Sequence, residues 1–287
     1  MQIRKAERRK AKLRLALCGV SGSGKTYSAL KIAKGMSGKT VVIDTENGSA
    51  DLYCQLHDYD VLTLNAPFSI ERYIEAIKMC EKAGYDIIII DSYSHAWVGS
   101  GGILDEKNGV RNKNDFAAWA TVMPKHERLI QKIIQSNAHI IACMRSKAKY
   151  EIVMNSSNKM TPVKIGLAPI QREGTDHEFT IVLDIDKDTH MYYASKDRTG
   201  IFEGKNEIVD ESVGERLIEW LEEGFSRDDL ISDHVKRIES SQNMDELKSA
   251  WAFIYNDNLL NPELEKLTKL KDSKKIELEN LNEDINM

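Results

Sequence analysis

The chain has 287 residues, 41% of them hydrophobic and 30% charged, and a formal net charge of −5. Length and composition indicate one sizeable folded domain plus an appendage and exclude a disordered chain; the acidic balance excludes a uniformly basic nucleic-acid coat but leaves room for a local basic groove. No run approaches the roughly 20 apolar residues of a membrane span, and Met1-Gln2-Ile3-Arg4-Lys5 continues basic without an apolar secretory core, so the expectation is a cytoplasmic protein with no membrane partner.

Residues 1–12 form a basic arm with Arg4, Lys5, Arg8, Arg9, Lys10 and Lys12, and Arg14 lies just past it. Such cations serve either as phosphate contacts or as a solvated or packed surface. Residues 13–18 read as an apolar strand and 27–36 as a helix. Between them, Gly19-Val20-Ser21-Gly22-Ser23-Gly24-Lys25-Thr26 is a complete phosphate-binding loop. Gly19, Gly22 and Gly24 permit a tight turn, so that the N–H groups of the loop, those of Ser21 and Ser23 included, and a helix N-terminus face the phosphates. Lys25 then reaches the β- and γ-phosphates. Thr26 supplies a hydroxyl for Mg²⁺, a cation that keeps most of its water and accepts few protein oxygens. ATP and Mg²⁺ are the expected ligands.

Residues 41–44 form the next expected strand, which delivers Glu46 close to the phosphate loop. There it acts through a water on the γ-phosphate, as general base or water-positioning group. Residues 69–83 read as a helix with Ser69 at its N-cap, and 86–91 as a buried strand of continuous isoleucines. Asp91, at the C-terminal end of that strand, is the expected partner of Thr26 at Mg²⁺. Ser92 follows it where the common arrangement has a glutamate, which is why the base is sought at Glu46. The four cysteines lack zinc-type pairing, so reduced, mostly buried thiols are expected.

The glycine-rich stretch 98–114 reads as a loop, followed by a helix over 115–136 and a strand over 139–144. Residues 150–154 and 160–165 flank the turn-forming Asn155-Ser156-Ser157-Asn158, which predicts a hairpin. Strands at 179–185 and 191–195 lead to Ser195-Lys196-Asp197-Arg198, two cations of the kind that reach a neighbour's γ-phosphate in ring or filament ATPases. A helix over 211–223, with Gly224 as terminator, closes a core domain spanning 13–224. The alternation predicts an α/β P-loop core whose mostly parallel central sheet is flanked by helices. From 225 to 287 the apolar spacing is helical, read either as a small interaction module or as a tail packed on the core.

Asn112-Lys113-Asn114-Asp115 matches a guanine-reading motif, but Gly109-Val110-Arg111 ahead of it is loop-like rather than an apolar strand, so ATP is the assigned nucleotide. A small-molecule kinase leaves Glu46 and the Lys196/Arg198 pair without work. An ATP-driven assembly switch or loader for a protein partner stays open beside an ATPase that works on nucleic acid.

Three stretches carry a resemblance over about residues 11–224. They are Ala11-Lys12-Leu13 running into Ser23-Gly24-Lys25-Thr26; Pro169-Ile170-Gln171-Arg172-Glu173-Gly174 with His177-Glu178-Phe179; and Ser195-Lys196-Asp197-Arg198-Thr199. With Asp44-Thr45-Glu46 and Asp91-Ser92, the chain resembles the RecA-like recombinase ATPases, and more closely the phage-encoded minimal members grouped with single-strand annealing proteins, the Sak-four type. The resemblance implies a RecA-like core, Glu46 as catalytic carboxylate, Lys196 and Arg198 as fingers acting in trans, a homo-oligomeric ring or filament, and single-stranded DNA as partner in homologous recombination or annealing in a bacterial host cytoplasm. Recombinases of this kind usually end the fourth core strand with a glutamine sensor. Here the sequence is Cys143-Met144-Arg145, so Arg145 is read as a phosphate sensor or a DNA contact. Two loops are implied to face DNA, one with Lys107, Arg111 and Lys113, the other with Lys147, Lys149 and Tyr150, which sets cations beside a stacking aromatic. The C-terminal helices are candidate contacts for a single-strand-binding protein, another replication or recombination protein, or a further subunit.

Overall fold

The structure, a computed structural model, describes residues 10–110, 114–154, 160–224, 227–254 and 261–285. In chain order the elements are β1 (Arg14–Gly19), α1 (Lys25–Met36), β2 (Thr40–Asp44), β3 (Asp60–Thr63), α2 (Ile70–Lys82), β4 (Ile87–Asp91), α3 (His95–Val98), α4 (Ile103–Gly109), α5 (Asp115–Ile134), β5 (His139–Met154), β6 (Met160–Pro169), β7 (Ile181–Ile185), β8 (Met191–Asp197), β9 (Glu207–Ile208), α6 (Glu211–Glu222), α7 (Arg227–Glu239), α8 (Met244–Ile254) and α9 (Asn261–Ile285). The described residues divide into two compact units, one of residues 12–221 and one that takes in the described residues from 222 onward.

Unit 12–221 is built on one sheet of order β3-β2-β4-β5-β1-β7-β8-β9, with β6 paired to β5 outside that path. The strands β3, β2, β4, β5, β1 and β7 run parallel; β8, β9 and β6 are antiparallel to their neighbours. This is the α/β P-loop NTPase architecture that the alternating pattern predicts. The continuous apolar strands follow from burial on both faces, because successive side chains point to opposite sides. Leu15 and Leu17 of β1, with Ile87 and Ile89 of β4, join a core with Leu30, Ile32 and Leu217 from α1 and α6. Ala16, Cys18, Ile88 and Ile90 face the other layer, with Tyr73, Ile77 and Leu129 from α2 and α5.

In the second unit, α7, α8 and α9 enclose a core of their own around Ile238, Leu247, Ile254, Leu267 and Leu278. Gly224, two residues past the end of α6, has φ +109, a left-handed value suited to the glycine expected to terminate that helix. Among the described residues no helix is long and apolar enough to cross a membrane. Cys18, Cys80 and Cys143 are buried free thiols, and Cys54 is exposed.

Several expectations need correcting. The strand expected to end at residue 144 continues to Met154, so the hairpin expected between 150 and 165 is longer and pairs from Ser146 with Pro169 to Met154 with Met160. Within the stretch 98–114, expected to be a loop, residues 103–109 form the helix α4. Ser69 sits at the N-cap of α2 but makes no side-chain capping bond. The strand β2, expected close to the phosphate loop, is separated from the phosphate-loop strand β1 by both β4 and β5.

Arg14 is no surface phosphate contact. It is 7% exposed, and its guanidinium donates to the carbonyls of Leu13 (2.7 Å), Ala138 (2.8 Å), Ile134 (2.9 Å) and Ser136. It thereby caps the C-terminus of α5, where carbonyls lack helical partners. Burial lowers its pKa to about 10, with the charge of Glu81 opposing the shift. Arg14→Met should strand these carbonyls and reduce stability by about 2–4 kcal/mol. A clear fall in the urea midpoint checks this; a surface cation would leave it unchanged.

Candidate functional site

The phosphate loop joins β1 to α1 at the C-terminal edge of the parallel strands. A side chain on Gly19 would begin 2.3 Å from Ser23 Oγ and 2.9 Å from the Ile185 carbonyl, so only glycine fits there. Gly22 and Gly24 have φ +81 and +94, the left-handed values that glycine adopts without strain. The loop folds back through Ser23 N–H to Val20 O at 3.2 Å, and Gly24 begins α1, so Lys25 and Thr26 occupy its first turn. Ser21 is exposed at the rim. Lys25, 9% exposed, donates its ammonium to Val20 O at 2.9 Å. Ser23 Oγ is buried and has no hydrogen-bond partner among the described residues. A glycine-shaped cradle, an orphaned hydroxyl, a lysine and a helix N-terminus together fit a triphosphate.

Asp91 ends β4, in register with Asp44 of β2 on one side and Cys143 of β5 on the other. Its carboxylate accepts the Thr26 hydroxyl at 2.5 Å. Burial pushes the Asp91 carboxyl up to about 6; the Thr26 hydrogen bond and Lys25 oppose the shift, while Glu46 and Asp44 add to it. One hydroxyl beside one carboxylate is a donor set suited to Mg²⁺, which retains water and takes few protein oxygens. Among the described residues no group of three or more His, Cys, Asp or Glu could hold a metal by itself.

Although β4 and β5 separate β2 from β1, Glu46 is brought back towards the loop. Its N–H donates to the fully buried Asp44 carboxylate at 2.6 Å, which tucks the chain over the end of β4. Its own carboxylate makes a two-point ion pair with Arg145, Nε to Oε1 at 2.9 Å and Nη2 to Oε2. Arg145 lies opposite Gly19 in the β1–β5 register, and its N–H donates to Ser94 Oγ at 2.9 Å. Beneath the pair, Thr45 Oγ1 accepts from Ser92 N–H at 2.7 Å and shares a 2.7 Å hydrogen bond with His95 Nδ1. Burial, reinforced by Arg145 and opposed by Glu46, lowers the pKa of the His95 imidazole.

Lys196 and Arg198 are not near this cluster. β8 runs antiparallel, with Asp197 opposite Ile181, which itself lies beside Leu15 of β1. Gly19 is about 13 Å further along that strand. Lys196 donates to the Asp176 (3.1 Å) and His177 (2.5 Å) carbonyls of its own chain, and Arg198 is exposed.

Lys107, expected on an open loop, lies on α4, paired with Asp115 and 5.2 Å from the centre of the Trp119 ring. Asn114 Oδ1 caps α5 by accepting from Ala117 N–H at 2.8 Å, so Asn114 and Asp115 serve a helix start. Lys147 and Lys149 are exposed on the face of β5 that carries Arg145. Arg111, Lys113 and the Tyr150 side chain fall outside the described residues, as do residues 1–9 of the arm and the 155–159 turn.

Sequence reasoning missed the groups that back the loop from β7 and β8. His190 Nδ1 lies 3.1 Å from the Ser23 carbonyl, and Lys187 Cε would lie 3.9 Å from a side chain on Gly22. Nothing local marks them, since only the pairing of β7 with β1 brings them there.

A family model described as an AAA domain matches residues 11–211. No curated protein matches the chain.

Proposed function

The chain belongs to the AAA domain family of P-loop ATPases, and on that footing we propose that it is a Mg²⁺-dependent ATPase that works on single-stranded DNA as a homo-oligomer, in recombination or annealing of the RecA-like, phage-encoded kind. The observation that carries the reading is the Glu46–Arg145 pair: the candidate base is gripped at the root of a hairpin whose exposed face bears Lys147 and Lys149.

Each group then has work. The loop N–H groups and Lys25 bind and orient the triphosphate, and Thr26 with Asp91 hold the cation or its water shell. Mg²⁺ bound there would supply charge neutralisation to the triphosphate. Glu46 takes a proton from, or orients, the attacking water. Arg145 fixes where Glu46 points, and it shares a strand with the cations offered to DNA. In this role it replaces the glutamine that recombinases usually carry. Lys196 and Arg198, on the opposite edge of the sheet from their own phosphate loop, act on a neighbouring subunit.

ATP turnover with and without single-stranded DNA tests the reading. Stimulation of about ten-fold, weakening as salt rises, is expected of a site coupled to phosphate contacts. Turnover indifferent to DNA would overturn the DNA-coupled function and favour the assembly switch for a protein partner.

A further inference from the structure

The turn between β7 and β8 is firmly built. Asp186 Oδ1 accepts from the N–H groups of Asp188 (3.0 Å) and Thr189 (2.9 Å) and from the Thr189 hydroxyl (2.9 Å). His190 N–H donates back to Asp186 O at 3.0 Å, and Asp186 N–H to Met191 O at 2.9 Å. His190 sits at φ +57, a left-handed conformation that this closure fixes. β7 pairs with β1, Asp184 beside Cys18, which sets the turn directly against the phosphate loop.

The contact is specific. Ser23 O only accepts, so the His190 Nδ1 atom 3.1 Å from it carries the proton. A peptide unit is planar and trans, so its carbonyl and the following N–H point in opposite directions. A carbonyl of Ser23 held outward by His190 therefore holds the N–H of Gly24 inward, towards the concavity. That peptide needs holding: it lies in Gly22-Ser23-Gly24, where glycines at φ +81 and +94 give little resistance to a peptide flip.

We propose that His190 is a positioning residue of the nucleotide site, whose Nδ1–H locks the Ser23–Gly24 peptide with its N–H facing the phosphates. The proposal rests on the reading of this loop as the nucleotide site. Residue 190 lies 167 positions from the loop residue it serves.

Three full-length proteins decide it. Glycine at 190 accepts φ +57 but has no donor; asparagine also tolerates that conformation, and its side-chain amide N–H stands in for Nδ1–H. In titrations with a fluorescent ATP analogue, His190→Gly should bind about ten-fold more weakly than the parental chain, and His190→Asn should return to within about two-fold of it. In turnover, the His190→Gly defect should appear in KM with kcat little changed, since the donor acts on binding geometry. His190→Gly at parental affinity, or His190→Asn as weak as His190→Gly, would overturn the proposal. A parental chain that binds no ATP would overturn the nucleotide reading itself, and this inference with it.

Discussion

Glu46→Gln should bind ATP as tightly as the parental chain and hydrolyse it about a hundred- to a thousand-fold more slowly, the loss usual when a general base or water-positioning carboxylate is removed. The substitution keeps the shape and one acceptor oxygen for Arg145, and the backbone bond from residue 46 to Asp44 remains, so the loop should hold its course. Fold loss is a poor alternative explanation. The Glu46–Arg145 pair is 23% and 40% exposed, and such partly solvated pairs contribute about 1 kcal/mol or less. A melting temperature unchanged beside a collapsed kcat is the expected pair of results. Parental turnover by Glu46→Gln would show that the base lies elsewhere.

Lys25→Ala and Arg198→Ala should each abolish most turnover, yet an equal mixture of the two should recover about a quarter of it if sites form between subunits assembled at random. The argument is geometric. Arg198 follows Asp197, at the level of Leu15, whereas the phosphate loop begins at Gly19, and Lys25 stands at the start of α1 beyond it. No rotamer of Arg198 spans that distance along the sheet within one chain. An active site in the mixture therefore pairs the intact loop of an Arg198→Ala subunit with the intact finger of a Lys25→Ala subunit. Silence in the mixture, with both variants still assembling, would remove Arg198 from the reaction.

What was legible in the sequence was local. The phosphate loop is eight consecutive residues, and Asp91 follows an isoleucine run that can only be a buried strand, so both could be read without knowledge of the sheet order. Glu46 is singled out in the sequence by its place after a strand expected close to the phosphate loop, yet β4 and β5 separate β2 from β1, and it is the Asp44 carboxylate and Arg145 that hold Glu46. The Arg145 partnership spans 99 residues and depends on β5 lying between β4 and β1, which no periodicity encodes. β3 was overlooked because it is a short edge strand without a buried stripe. Arg14 was misread because a run of cations looks solvated until one of them is needed to finish a helix. The stretch 98–114 was misread because its glycines signal a turn more loudly than Ile103–Gly109 signals a helix.

The sixteen-residue course of β5 has a mechanical consequence. Its first half is bolted between β1 and β4 and its second half stands free of both, so whatever seizes the outer half works a lever whose fulcrum is Arg145. On the proposed reading of Glu46 as the base, a load on the hairpin would be felt, through Arg145, as torque on the Glu46 carboxylate.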